Sequence, residues 1–303
     1  MSKNTLLGMR SLRCHVSWFA KITIALFVVL TAGSLVAQTT YPEKTFREMR
    51  SNAGGFSPGS PPDSIVRFVH HDEFPTEVRE KMKAFNADFV RPRSLPQMGG
   101  QASCPKTQHF IQGILDRLIS GSNLGPAMNR ADYPITMVVT CAIADVPDAE
   151  MKAGVLALSA ELILLLHSED EVAAVLAHEV AHFTLAHDHK ILANWNRLTP
   201  FAINRLRMQH EEEADAESLV LLSNAGYDPY AAVDALKALR NFIHGTQAQS
   251  DNRHPQIDYR IETLSKEINR ISFAKIPRRD DSLEAVKYEV KLRPQYLLRT
   301  REN

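Results

Sequence analysis

The apolar positions along the chain change period several times. Between Pro75 and Val90 they fall at Val78, Met82, Phe85 and Phe89, three and four residues apart, which is the spacing of one helix face. Phe110, Ile111, Ile114, Leu115, Leu118 and Ile119 repeat that spacing and stop near Gly121, predicting a second helix. Ile135 to Ile143 (ITMVVTCAI), bounded by Pro134 and Asp145, predicts a strand. Gly154 to Leu158 is a candidate second strand running into the apolar stretch from Leu162 to Leu166. From Val172 the run VAAVLAHEVAHFTLAH is apolar on nearly every side and predicts a buried helix, with Ser168 and Glu171 in the positions of a capping box. Gly226-Tyr227-Asp228-Pro229 reads as a helix stop and restart before the amphipathic stretch from Ala231 to Phe242. Val286 to Leu292 alternates like an edge strand with charged outer positions. His70-His71, followed by two acids, reads as an exposed polar turn. No internal repeat is visible.

Composition narrows the function classes. The 303 residues carry 35 basic and 35 acidic side chains, and this balance argues against a nucleic-acid partner, which normally meets a basic excess. The hydrophobic fraction of 44% is that of a globular protein. The charge is unevenly spread. Lys3, Arg10, Arg13 and Lys21 precede a charge-free run from Ile22 to Ala37, and the first acid is Glu43. A basic start followed by an apolar run reads as a secretory signal peptide, with an uncleaved membrane anchor or a buried core helix as the alternatives. The expected location is therefore exported, periplasmic or otherwise extracytoplasmic, with membrane association through residues 22–37 in the anchored case. Cys104 and Cys141 remain after such a leader, either bridged or as two buried thiols. Residues 51–62 (SNAGGFSPGSPP) read as a linker. The organisation this implies is a leader over 1–37, a linker-rich region with one helix over 38–103, a catalytic domain over 104–271 and a tail over 272–303.

The chemistry concentrates in His178-Glu179-Val180-Ala181-His182. Histidines at i and i+4 lie one turn apart on one helix face, so both imidazoles can reach one zinc ion. Glu179, one residue round, sits beside the metal, where it can take a proton from water. The bland alternative is a pair of helix-surface histidines next to an acid. A catalytic zinc needs a third protein ligand. His187 and His189 are near, but on a continuing helix His187 is about half a turn out of phase with His178. Both then read as helix-end residues, His187 bonding the last carbonyls. Glu211 in the run Glu211-Glu212-Glu213-Ala214-Asp215 is the better ligand, with Asp215 at i+4 free to hold the outer N–H of a ligand histidine. Glu212 and Glu213 read as solvated acids pointing elsewhere.

HEVAH, then EEEAD, then RHPQIDYRI resembles the zinc metalloendopeptidases that include the CAAX prenyl proteases, bacterial HtpX and the periplasmic protease BepA. The likeness runs from about Cys104 to Ile271. It implies an α+β, mainly helical, zincin-like metalloprotease domain with a small sheet and an active-site helix carrying HExxH. It implies one Zn2+ on His178, His182 and Glu211, with Glu179 as general base and Asp215 and Arg260 as outer supports. His254 would cover the metal or steady the transition state, although His254 and Arg260 also fit a plain turn into the last helix. The substrates implied are unfolded or misassembled proteins or peptides, met in envelope quality control. One stretch departs from the family pattern. Before the substrate-pairing edge strand, residues 147–154 (PDAEMKAG) keep only Gly154. That departure supports a rival, a zinc-binding module of the same fold that holds clients without cutting them. A purely structural zinc domain fits less well, because such sites favour four Cys/His ligands.

Overall fold

The computed structural model describes residues 66–90, 104–140, 147–246, 257–271 and 283–291. All of them belong to one compact unit. The leader, the linker, Cys141 and His254 lie outside the described residues. Cys104 is disulfide-bonded.

The architecture is mainly helical α+β. The helices are α1 (Thr76–Phe89), α2 (Pro105–Gly121), the short α3 (Gly125–Met128), α4 (Ala160–Leu165), α5 (Glu169–Thr184), α6 (His187–Asn194), α7 (Pro200–Asn224), α8 (Ala231–Thr246), α9 (Ile257–Ile271) and α10 (Leu283–Lys291). Three strands, β1 (Thr136–Thr140), β2 (Ala149–Lys152) and β3 (Val155–Ser159), form one sheet in the order β1-β3-β2. β1 runs parallel to β3, and β2 is antiparallel to it, with Met151 opposite Leu156.

α5 is the centre of the molecule. Ala173, Leu176, Ala177, Val180 and Ala181 are fully buried, so the helix touches apolar neighbours all round. Burying one large aliphatic side chain stabilises the fold by about 1.5–3 kcal/mol, so this ring of contacts outweighs any single polar interaction at the helix. Its N-terminus is held from the sides. Ser168 Oγ accepts the Glu171 N–H at 3.1 Å, and the Glu171 carboxylate accepts the His167 N–H at 2.9 Å, one residue earlier than a capping box has it. Asp170 accepts the Asp228 N–H at 2.8 Å, and Glu169 pairs with Arg117 and with the Tyr227 hydroxyl. These acids also face the positive end of the helix dipole. At the other end the Val69 N–H donates to the Thr184 carbonyl at 2.7 Å, tying the segment before α1 to the end of α5.

One expectation from the apolar pattern fails. Val286 to Lys291 do not form an edge strand but belong to α10, and Leu292 lies outside the described residues. Leu283, Val286 and Val290 are buried at i, i+3 and i+7, a helical period that the short alternation masks. Residues 147–154, which depart from the family pattern, contain strand β2, Ala149–Lys152, that the apolar pattern did not mark. The turn is Ala153-Gly154, with φ of 47° and 78°, the two-residue reversal that suits a tight hairpin. Gly154 is needed there twice over, since a Cβ would also lie 2.5 Å from Tyr133 Cδ2. The core takes in residues on both sides of 104–271, among them Val66, Val78 and Met82 before it and Leu283 and Val286 after it.

Candidate metal centre

His178 and His182 project from α5 towards α7, against which α5 packs most heavily. Their Nε2 atoms lie 3.1 Å apart. Glu211 of α7 faces both, with Oε2 3.4 Å from His178 Nε2 and Oε1 3.5 Å from His182 Nε2. One ligand atom from each of the three residues falls within 4.8 Å of the others.

The outer hydrogen bonds decide which atoms carry lone pairs. Asp215 Oδ1 accepts from His178 Nδ1 at 2.9 Å, which leaves Nε2 of a neutral imidazole unprotonated. His182 Nδ1 lies 2.9 Å from His187 Nδ1, and His187 Nε2 lies 3.3 Å from Glu213 Oε2. Because Glu213 is an acceptor, His187 donates from Nε2, accepts at Nδ1, and leaves His182 Nε2 with a lone pair as well. Two ring lone pairs and a carboxylate thus face one another, a set that repels itself until a cation sits among them. The donor set fits a zinc ion with a coordination position left for water.

The charges agree with this reading. Burial opposes a proton on His178, yet the Asp215 and Glu211 carboxylates outweigh it and pull its pKa up to about 10. Burial, helped by the neighbouring His178, drives His182 down to about 4. Arg260 holds Asp215 through two hydrogen bonds of 2.9 and 2.7 Å and stands 3.3 Å from Glu211 Oε2. Burial raises the Asp215 pKa, but that guanidinium and His178 overcome it and bring it to about 2. Burial pushes Glu179 up to about 8. Its Oε2 accepts the backbone N–H of Met151 in β2 at 2.6 Å, so the edge strand runs directly beside the carboxylate.

Every described site residue read from the sequence comes together here: His178, Glu179, His182, Glu211, Asp215 and Arg260. The sequence reading missed His187 and Glu213. Helix α5 ends at Thr184, and Ala186 takes a left-handed conformation (φ 52°, ψ 41°), so His187 starts a new helix instead of continuing the old phase. It is buried, not a helix-end residue bonding carbonyls, and it stacks on His210 with centroids 4.0 Å apart. Glu213 is not a solvated acid, since besides His187 it accepts from Gln209 at 3.0 Å. Glu212 accepts from the Tyr259 hydroxyl at 3.1 Å. The histidine five residues past HExxH was the available signal, discarded because the helix was assumed to continue.

A second group of the same residue types, His71, Asp132 and His189, also lies within ligand distance. His71 is not in an exposed turn but 1% exposed, and His189 is buried beside it with ring centroids 4.0 Å apart. Here the polarity is reversed. His71 Nδ1 accepts the Asp132 N–H at 3.0 Å, so its Nε2 keeps the proton, and Arg79 already holds the Asp132 carboxylate at 2.7 Å. The hydrogen bonds of this group favour a structural role over a metal site.

No curated protein matches the chain. Residues 105–194 match the model of Peptidase family M48, a span that includes HEVAH and ends before Glu211. That match supports a metallopeptidase, and over residues 105–194 the chain is similar to peptidase family M48.

Proposed function

We propose that the protein is a zinc-dependent metalloendopeptidase, with one Zn2+ held by His178, His182 and Glu211. The observation that carries this is the convergence of two histidine lone pairs and one carboxylate beside a buried glutamate and a strand edge. A zinc ion bound there supplies a Lewis acid for the scissile carbonyl and lowers the pKa of its water. The chain's own residues do the rest. Asp215 and His187 orient the two imidazoles. Arg260 neutralises the two carboxylates around them. β2 offers a backbone edge along which a peptide substrate can add as a strand. Glu179, whose pKa burial raises, is placed to accept a proton from the attacking water and return it to the leaving amine. His254 is assigned to the developing oxyanion on the strength of the RHPQIDYRI segment alone.

The substrates we infer are unfolded or misassembled proteins met in envelope quality control. The basic start and charge-free run up to Ala37 support export with cleavage or anchoring, and the disulfide at Cys104 suits an oxidising compartment. Besides the departure at residues 147–154, the non-cleaving binding module is favoured by the bond that ties Glu179 to Met151. Glu179→Gln separates the readings. The variant should keep its zinc and lose at least about a hundredfold in cleavage of a denatured protein. Cleavage at the wild-type rate would refute the base assignment, and a zinc-loaded wild type without turnover would favour the binding module.

A further inference from the structure

The start of α7 presents apolar side chains to solvent. Among the described residues five large hydrophobic side chains are exposed, and three of them fall within residues 198–208: Leu198 at 37%, Phe201 at 79% and Met208 at 42%. Phe201, Asn204, Arg205 and Met208 stand at i, i+3, i+4 and i+7 and are all exposed, so they form one stripe along the helix. The Thr199 hydroxyl caps that helix by accepting the Ala202 N–H at 3.3 Å, which makes the tip a built feature with Pro200 in its first turn. Trp195 precedes it, with the Arg207 guanidinium 5.9 Å from its ring centroid.

The charge of this stretch is one-sided in a chain whose net charge is zero. Residues 189–210 contain Lys190, Arg197, Arg205 and Arg207 and no acid. Lys190 lies 3.6 Å from Glu213 and belongs to the metal centre's surroundings, which leaves the exposed Arg197 and Arg205 beside the apolar stripe and Arg207 against Trp195. We propose that residues 195–208 are a docking surface for an anionic lipid membrane. Leu198, Phe201 and Met208 would enter the headgroup boundary, Trp195 would lie at its level, and the arginines would meet lipid phosphates. Three separate apolar side chains fall far short of the roughly 1,200–2,000 Å² that a stable protein interface buries. A lipid surface needs no such complementary patch and takes single apolar side chains together with positive charge. Met208 is three residues from Glu211 on the same helix, so docking would bring the metal centre close to the membrane plane and to substrates lying there.

The test uses the tryptophans. The chain has two, Trp18 in the leader and Trp195, so Trp18→Phe leaves Trp195 as the sole reporter in the full-length protein. With vesicles of brominated phosphatidylcholine and phosphatidylglycerol, Trp195 fluorescence should be quenched. It should be quenched much less with phosphatidylcholine alone or at high salt. Leu198→Ser with Phe201→Ser in that background should weaken the anionic-vesicle titration about tenfold or more while leaving hydrolysis of a soluble denatured protein unchanged. Arg205→Glu, on the exposed face, should weaken it and flatten its salt dependence. Absence of quenching, or quenching that none of these substitutions alters, overturns the proposal. So does a double variant whose KM for the soluble substrate rises while its vesicle titration stays the same, since the surface would then be a polypeptide site.

Discussion

Two groups of histidines and carboxylates flank the same short helix, α6, and they behave oppositely. His187 joins the group of His178, His182 and Glu211, while His189, two residues on, joins His71 and Asp132. Both groups are partly buried, and both bring ligand atoms within reach of one another. They differ in the direction of their outer hydrogen bonds. Around His178 and His182 the outer partners accept, directly or through His187, so the lone pairs point inward. At His71 the outer partner is a backbone N–H that donates, so the inward nitrogen carries hydrogen. Residue type and distance are therefore not enough to define a metal site, because the tautomer decides.

The largest expected effect tests this contrast directly. Glu211→Ala should abolish both zinc content and hydrolysis, whereas His71→Ala should retain one zinc per chain and lose about 1–3 kcal/mol of stability from the buried network. Loss of zinc in the His71 variant, by metal analysis after dialysis, would erase the distinction. Next, His187→Ala should weaken zinc binding about 10–100-fold in competition with a chromophoric chelator. His187→Asn, whose side-chain oxygen can accept the same N–H, should recover much of that loss. Equal affinities for the two variants would mean that His187 merely fills space.

A smaller effect follows from pH. Burial, aided by the neighbouring His189 and Arg79 and opposed by Asp132 and Asp72, lowers the His71 pKa from 6.5 to about 3. Between those values the unfolded chain holds the extra proton, so this contribution is complete above about pH 6.5 and declines as pH falls towards about 3. Denaturant midpoints measured across that window should fall less steeply in His71→Gln than in the wild type. The smallest effect concerns the joint between the two groups. Ala186 carries a positive φ that suits glycine, so Ala186→Gly should stabilise the fold by up to about 1 kcal/mol without changing zinc affinity.

Legibility in the sequence followed the range of the physics involved. HEVAH and the Glu211–Asp215 pair were readable because each is an i, i+4 arrangement inside one helix, where local periodicity fixes which residues share a face. Arg260 came from resemblance and took its expected place against Asp215. His187 was lost because one left-handed residue resets the helix phase, and no pattern announces an alanine there. Glu213 was lost with it, since its role depends on the histidine it faces. The burial of His71 depends on α1, α6 and the loop before β1 meeting, which no local period encodes. β2 was missed because four residues reading Ala-Glu-Met-Lys resemble a polar turn until β3 pairs with them.

The bond between Glu179 and the Met151 N–H couples two events that would otherwise be independent. In the proposed enzyme, a peptide adding to the strand edge would compete for that same N–H and so release the carboxylate. A small molecule reaching the proposed metal without pairing along β2 would leave the base engaged. Discrimination between extended polypeptides and everything else would then arise before any side-chain pocket is consulted, from one backbone amide with two claimants.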